Sequence, residues 1–241
     1  MLFFKNKDNS KKLLKKYLTV NNTNDVYKFQ RKFYLQSKVL LKCFGRINNN
    51  NINKLNLIVI TDTHNTLNES ELTRIIKEHP NFDLCILLGD HNYNDIEIII
   101  KYIDKNKIYC LLGNHDYDYI NYYSLNNLNG KIININGVKI MGIQGSFKYK
   151  PSDFPSFTQE DSIDFLKDKE PVDVLFSHDG PFDDNMINNP AHQGLFGITY
   201  YLFKNKVKYN IHGHIHNPYN RYLLNGTKEI SLYGINYLSL D

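Results

Sequence analysis

Tryptophan is absent from this 241-residue chain, and cysteine, methionine and arginine are scarce. The three cysteines, Cys43, Cys85 and Cys110, are scattered, and two of them sit inside apolar runs. That spacing outlines no disulfide framework and predicts reduced thiols and a cytoplasmic protein. No apolar run approaches the roughly 20 residues that span a bilayer, so the sequence offers no transmembrane segment. At the start only Leu2, Phe3 and Phe4 precede the charges, too few for a signal-peptide core. No internal repeat of fixed period is present. Acidic residues are nearly missing from one region: residues 1–54 hold 13 Lys or Arg against two Asp. The remainder carries 16 of the 29 basic and 23 of the 25 acidic residues, so the two parts are expected to do different work.

Within the basic part, "KKLLKKYL" puts Leu13, Leu14, Tyr17 and Leu18 on one helical face and lysines on the other. A second helical pattern runs from Asn24 through Val26, Phe29 and Phe33 to about Cys43, with Gly45 as its stop and "NNNNIN" as a loop. The expected role of residues 1–54 is a pair of helices packed on the main domain. The alternative is a basic surface for nucleic acid or an acidic membrane. From Leu55 the texture changes to short β-branched runs: "LNLIVIT", "LCILL", "KIYCLL", "VKIMGI" and "VDVLFS". Helical patterns near 69–79, 93–104 and 158–168 lie between them, the last opened by Thr158 with Asp161 in a near capping box. The expectation is an α/β domain over 55–241 that closes with antiparallel strands.

The chemistry sits at the strand ends. Asp62 and His64 follow the first run, Asp90 the second, and Asn114, His115 and Asp116 the third. His178 follows "VLFS", and "YNI" leads into "HGHIH", with His214 and His216. One histidine at a strand end is usually structural, but the carboxyl ends of α/β strands are where ligands collect. Five such clusters at one structural position predict a metal site. Four imidazoles, two carboxylates and an amide, with no thiolate, exceed what one tetrahedral ion takes. Two ions sharing a carboxylate bridge fit the count, with Asp90 central in the order.

The ordered series Asp-x-His, Gly-Asp, Gly-Asn-His-Asp, His and Gly-His-x-His resembles the calcineurin-like metallophosphoesterase superfamily. That resemblance implies a four-layer αββα sandwich of two mixed sheets with flanking helices. It implies two divalent ions, manganese first, with Fe, Zn, Ni or Mg as alternatives. One ion would take Asp62, His64, Asp90 and His216, and the other Asp90, Asn114, His178 and His214. His115 would be the general acid, held by Asp116, in hydrolysis by a metal-activated hydroxide. His212 has no ligand role in that pattern.

Related Ser/Thr phosphatases place an arginine after Gly-Asp, where this chain reads "GDHNYND". The pattern is closer to the superfamily's small phosphodiesterases, as "SHDGPF" and "HQGLFGITYYLFKN" also are. The expected substrate is a small or nucleotide phosphodiester. A nuclease using the basic segment is the alternative, and a non-catalytic scaffold is disfavoured by the full ligand set. His91, His192, Phe147 and Tyr149 are expected at the substrate pocket, with Phe154 and Phe182 nearby.

Overall fold

Alternation along the first strand sorts its side chains between two cores, and that sorting sets the architecture. In a computed structural model of the chain, the described residues are 37–38, 40–48, 51–151, 153–182 and 189–241. Strand β1 (Leu55–Thr61) sends Leu55, Leu57 and Val59 to one core. Ile58 and Ile60 go to a second, with Leu72 and Ile75 of α1 (Glu69–Glu78) and Ile96 and Ile99 of α2 (Tyr93–Tyr102). Parallel neighbours β2 (Leu84–Leu87), β3 (Ile108–Cys110) and β4 (Asn126–Asn127) extend β1 on one side. Strand β13 (Gly234–Leu240) pairs antiparallel on the other, giving the order β13-β1-β2-β3-β4. A short helix, α3 (Tyr119–Tyr122), follows β3.

The second sheet has six strands. Introduced in chain order, they are β5 (Ile133–Ile135), β6 (Val138–Ile143), β9 (Val174–Ser177), β10 (Tyr209–His212), β11 (Tyr219–Tyr222) and β12 (Lys228–Ser231). Their spatial order is β11-β12-β10-β9-β6-β5, mixed in direction. Val138, Ile140, Val174, Phe176 and Ile211 face the first sheet. Met141, Ile143 and Leu175 face outward onto α4 (Gln159–Leu166) and α5 (Phe196–Asn205). The layers are therefore helix, sheet, sheet, helix, as the family resemblance implied. A two-stranded ribbon of β7 (Ser146–Phe147) and β8 (Ser156–Phe157) lies apart.

Local chemistry starts and stops these helices where the sequence marks it. Asn92 caps α2 in a box with Asp95, and Thr158 caps α4 in a box with Asp161. The helical residues 40–44 stop at Gly45, whose φ of +73° only glycine takes freely. Leu40 is buried against Ile163, Phe196, Tyr200 and Phe203, so this end of the basic segment packs on α4 and α5. The patterns at 13–18 and 24–36 lie outside the described residues. Among the described residues no helix is long and apolar enough to cross a membrane.

Candidate metal centre

Strands β1, β2, β3, β9 and β10 run parallel within their sheets, and the loops leaving their carboxyl ends meet on one rim. Backbone hydrogen bonds stitch those loops together: Asp62 N–H to the Gly89 carbonyl at 3.0 Å, His64 to Asp90 at 3.1 Å, and Gly213 to His178 at 3.0 Å. Two clusters of donor atoms result, Asp62 with His64 and His216, and Asp90 with His178 and His214. Within each cluster the donor atoms lie within 4.8 Å of one another.

Each carboxylate spends one oxygen on the protein and turns the other inward. Asp62 Oδ2 accepts from the Thr61 hydroxyl at 2.6 Å and the His214 amide at 2.9 Å. Its Oδ1 is buried and makes no hydrogen bond, although His216 Nε2 stands 3.3 Å away. Asp90 Oδ1 accepts from the His115 amide at 2.9 Å. Asp90 Oδ2 lies 3.7 Å from His64 Nε2 and 3.7 Å from His178 Nε2, so one oxygen borders both clusters.

The imidazoles are set by their other nitrogens. His178 Nδ1 donates to the Leu88 carbonyl at 2.9 Å, which leaves Nε2 facing Asn114 Oδ1 at 2.9 Å. His214 Nε2 donates to the Ala191 carbonyl at 2.7 Å, leaving Nδ1 as the free donor atom. His64 Nε2 and His216 Nε2 face each other at 3.2 Å. Lone pairs thus converge with too few protons between them. Burial opposes charge on His178, yet Asp90, Asp62 and Asp116 hold its pKa above the ordinary histidine value. Burial would likewise raise the Asp62 carboxyl, but His216, His178 and its hydrogen bonds keep it well below the carboxylate range. The pocket is short of positive charge, and its orphaned Asp62 oxygen and oxygen–imidazole donor set fit divalent cations.

Backbone strain is concentrated here. Asp62, His64, Asp90, His214 and His216 all have left-handed φ between 44° and 68°, which non-glycine residues adopt at a cost. Glycine supplies the close approaches: a Cβ on Gly213 would stand 2.0 Å from Thr61 Oγ1 and 2.3 Å from Asp62 Oδ2.

The remaining sequence expectations fare differently. Asp116 does not orient the His115 ring. Its buried carboxylate accepts from the amides of Asp90 (2.8 Å), His91 (2.7 Å) and Gly113 (2.7 Å), fastening the second and third motif loops together. His115 is exposed, its ring 5.9 Å from that of His64 and 6.5 Å from that of Phe154. His91 is buried and its Nδ1 meets the Thr63 hydroxyl at 2.7 Å, which in turn donates to Asp95 at 2.7 Å. That hydrogen bond anchors the ring internally, and His91 also lines the small cleft beside His115. Phe147 is partly buried against the core of α4 and α5. His192 does adjoin the centre, its ring edge-on to His214 at 5.1 Å. Tyr149 lines an open cavity of about 580 Å³ with Lys148 and Lys150. Of the loop 181–194, residues 183–188 lie outside the described residues.

Sequence reasoning missed Asp95, which also accepts from the Asn65, Leu67 and Asn92 amides and shapes the loop carrying His64. Its one legible signal was the Asn92–Asp95 capping spacing. Also missed was Glu229, fully buried, which accepts from His212 Nε2 at 3.2 Å, Arg221 Nε at 2.7 Å and the Tyr219 hydroxyl at 2.5 Å. This explains His212 as a structural histidine. Burial would raise the Glu229 carboxyl, but His212 and Arg221 bring it down to about 2. A depressed carboxylate stabilises the fold above its unfolded pKa of about 4.3 and loses that contribution as pH falls toward 2. Glu229→Gln is expected to cost about 2–4 kcal/mol, because His212 and Arg221 lose their anion. Chemical denaturation at pH 7 and pH 3 checks this, and the difference between variant and parent should shrink at the lower pH.

The chain belongs to the calcineurin-like phosphoesterases, whose family model matches residues 55–218. Among solved structures, TT1561 of Thermus thermophilus aligns with a TM-score of 0.53 and 10% identity, over 77% of this chain and 97% of that one. The phosphopantetheinyl hydrolase PptH from Mycobacterium tuberculosis aligns with a TM-score of 0.54 and 10% identity, over 75% of this chain and 90% of that one. At such identity these are likenesses of fold. No curated protein matches the chain in sequence.

Proposed function

We propose that this chain is a dinuclear metal-dependent phosphodiesterase acting on small or nucleotide diesters. Family membership supports the coarser statement, hydrolysis of phosphoric esters with divalent ions. The observation that carries the dinuclear reading is Asp90 Oδ2, 3.7 Å from an imidazole nitrogen of each cluster. Asp62, His64, Asp90 and His216 would hold one ion, and Asp90, Asn114, His178 and His214 the other. Bound there, two divalent ions would acidify a water and polarise the phosphoryl oxygens, with manganese the first choice.

The protein's own groups supply the rest. Asp90 Oδ1 fixes the His115 amide, which sets the exposed ring beside the clusters. His115 protonates the departing alkoxide oxygen. Asp116 keeps the second and third motif loops in register through its three amides. His214 is oriented by the Ala191 carbonyl and bordered by His192.

The preference for diesters rests on where the arginines are. Arg74 pairs with Glu78 at 2.7 Å, and Arg221 with Glu229 at 2.7 Å. Arg46 lines a cavity with Tyr222 and Leu224. Among the described residues no guanidinium fork is available to clamp a dianionic monoester. With manganese, bis(p-nitrophenyl) phosphate should be cleaved at least about 10-fold more efficiently than p-nitrophenyl phosphate, a ratio that a difference of about 1.4 kcal/mol suffices to give. Chelation should abolish turnover and added manganese restore it. A reversed ratio would overturn the diester preference.

A further inference from the structure

Large aromatic side chains that serve packing are buried, yet Tyr117 is 70% exposed and stands two residues from His115. Tyr93 is 38% exposed and Tyr122 72%. These rings form two groups. Tyr117 meets Phe154 edge-on at 5.5 Å, and Phe154 in turn lies 6.5 Å from His115. Tyr93 packs edge-on with Tyr122 at 5.1 Å, and Tyr122 with Tyr123 at 4.8 Å. A cleft of about 90 Å³ joins the two groups, lined by His91, Asn92, Tyr93, His115, Tyr117 and Tyr119. His115 lines the cleft, and its ring lies 5.9 Å from that of His64 in the candidate centre.

The lining decides what kind of group fits. It contains phenol rings, imidazoles and an amide, and no aliphatic side chain. An acyl chain would find no aliphatic surface to lie against. A flat ring with polar edges finds faces to stack on and hydroxyl and amide groups around its rim. Because His115 borders the cleft and, on the phosphodiester reading, protonates the departing oxygen, the cleft lies on the leaving-group side.

We propose that the exposed rings at the mouth of this cleft, Tyr117 and Tyr93, are the stacking surface for a leaving nucleoside, whose base lies across the mouth because a cleft of about 90 Å³ takes only its edge. The assignment rests on the phosphodiester reading and narrows it to substrates that release a nucleoside. Stacking of a base on an aromatic side chain changes affinity by roughly 5-fold to 100-fold.

The test uses the full chain loaded with manganese and two probes that resist hydrolysis. One is a phosphorothioate-linked adenosine dinucleotide, and the other is the same molecule without the base on its leaving side. Calorimetric titration should show the first binding about 10-fold or more tightly. Tyr117→Ala should bring the two affinities together, Tyr117→Phe should keep them apart, and Tyr222→Ala, at a tyrosine 72% exposed on β11, should also keep them apart. Equal affinities in the parent protein, or a preference that survives Tyr117→Ala, would overturn the subsite. Hydrolysis of the unmodified dinucleotide, followed in parallel, judges the diester reading by itself. Base-dependent binding without hydrolysis would leave the subsite standing and remove the activity.

Discussion

Asp90→Ala is expected to lower turnover of any phosphoester on the order of 10³-fold or more and to remove most of the stabilisation by manganese. The carboxylate faces both donor clusters through Oδ2, and Oδ1 holds the His115 amide. Losing the shared oxygen removes several kcal/mol of charge stabilisation from the transition state, and each ~1.36 kcal/mol is tenfold in rate. Without metal the sign for stability reverses. Asp62, Asp90 and Asp116 are buried close together, and burial with the Asp90 charge pushes the Asp116 carboxyl up to about 7. Removing Asp90 relieves that repulsion, so the metal-free variant should melt no lower than the metal-free parent. The parent should gain about 2.7 kcal/mol when manganese stands at 100 times its dissociation constant, and the variant should gain little. A variant that keeps the full metal-dependent rise in Tm contradicts the bridging role.

His115→Ala is the second large expected effect, and its signature is dependence on the leaving group. The ring is exposed, and among the described residues its ring neighbours are His64 at 5.9 Å and Phe154 at 6.5 Å, so its removal should leave fold and metal affinity intact. General acid assistance contributes about 10²–10⁴-fold when the departing alkoxide needs a proton. A nitrophenolate leaves without one, and there the loss should stay below about tenfold. Measuring kcat for a dinucleotide and for bis(p-nitrophenyl) phosphate in the same variant separates the cases. Equal losses would assign His115 to positioning or metal binding.

The positions of the candidate ligands were legible because chemistry-bearing residues recur at the ends of β-branched runs, and that regularity survives any ambiguity about helix boundaries. The layer order came from the family resemblance of the ordered motifs; in the structure, Val59 and Ile60 divide between two cores by simple alternation. What escaped the sequence depends on contacts distant in the chain. Glu229 reads as an ordinary strand residue until Arg221 and His212 close on it. Asp116 follows His115 directly, which invites pairing the two, but three amides from separate loops take its oxygens. The left-handed backbone at Asp62 and Asp90 has only a weak sequence signal, since aspartate tolerates such a φ better than most residues but glycine is the one that announces it.

Elemental analysis of the purified full-length protein after manganese loading and removal of free metal tests the central claim most directly. The convergence of two donor clusters on Asp90 predicts two ions per chain, falling to one or none in Asp90→Ala. One ion per chain in the parent, or two retained in the variant, would contradict a dinuclear centre bridged by Asp90.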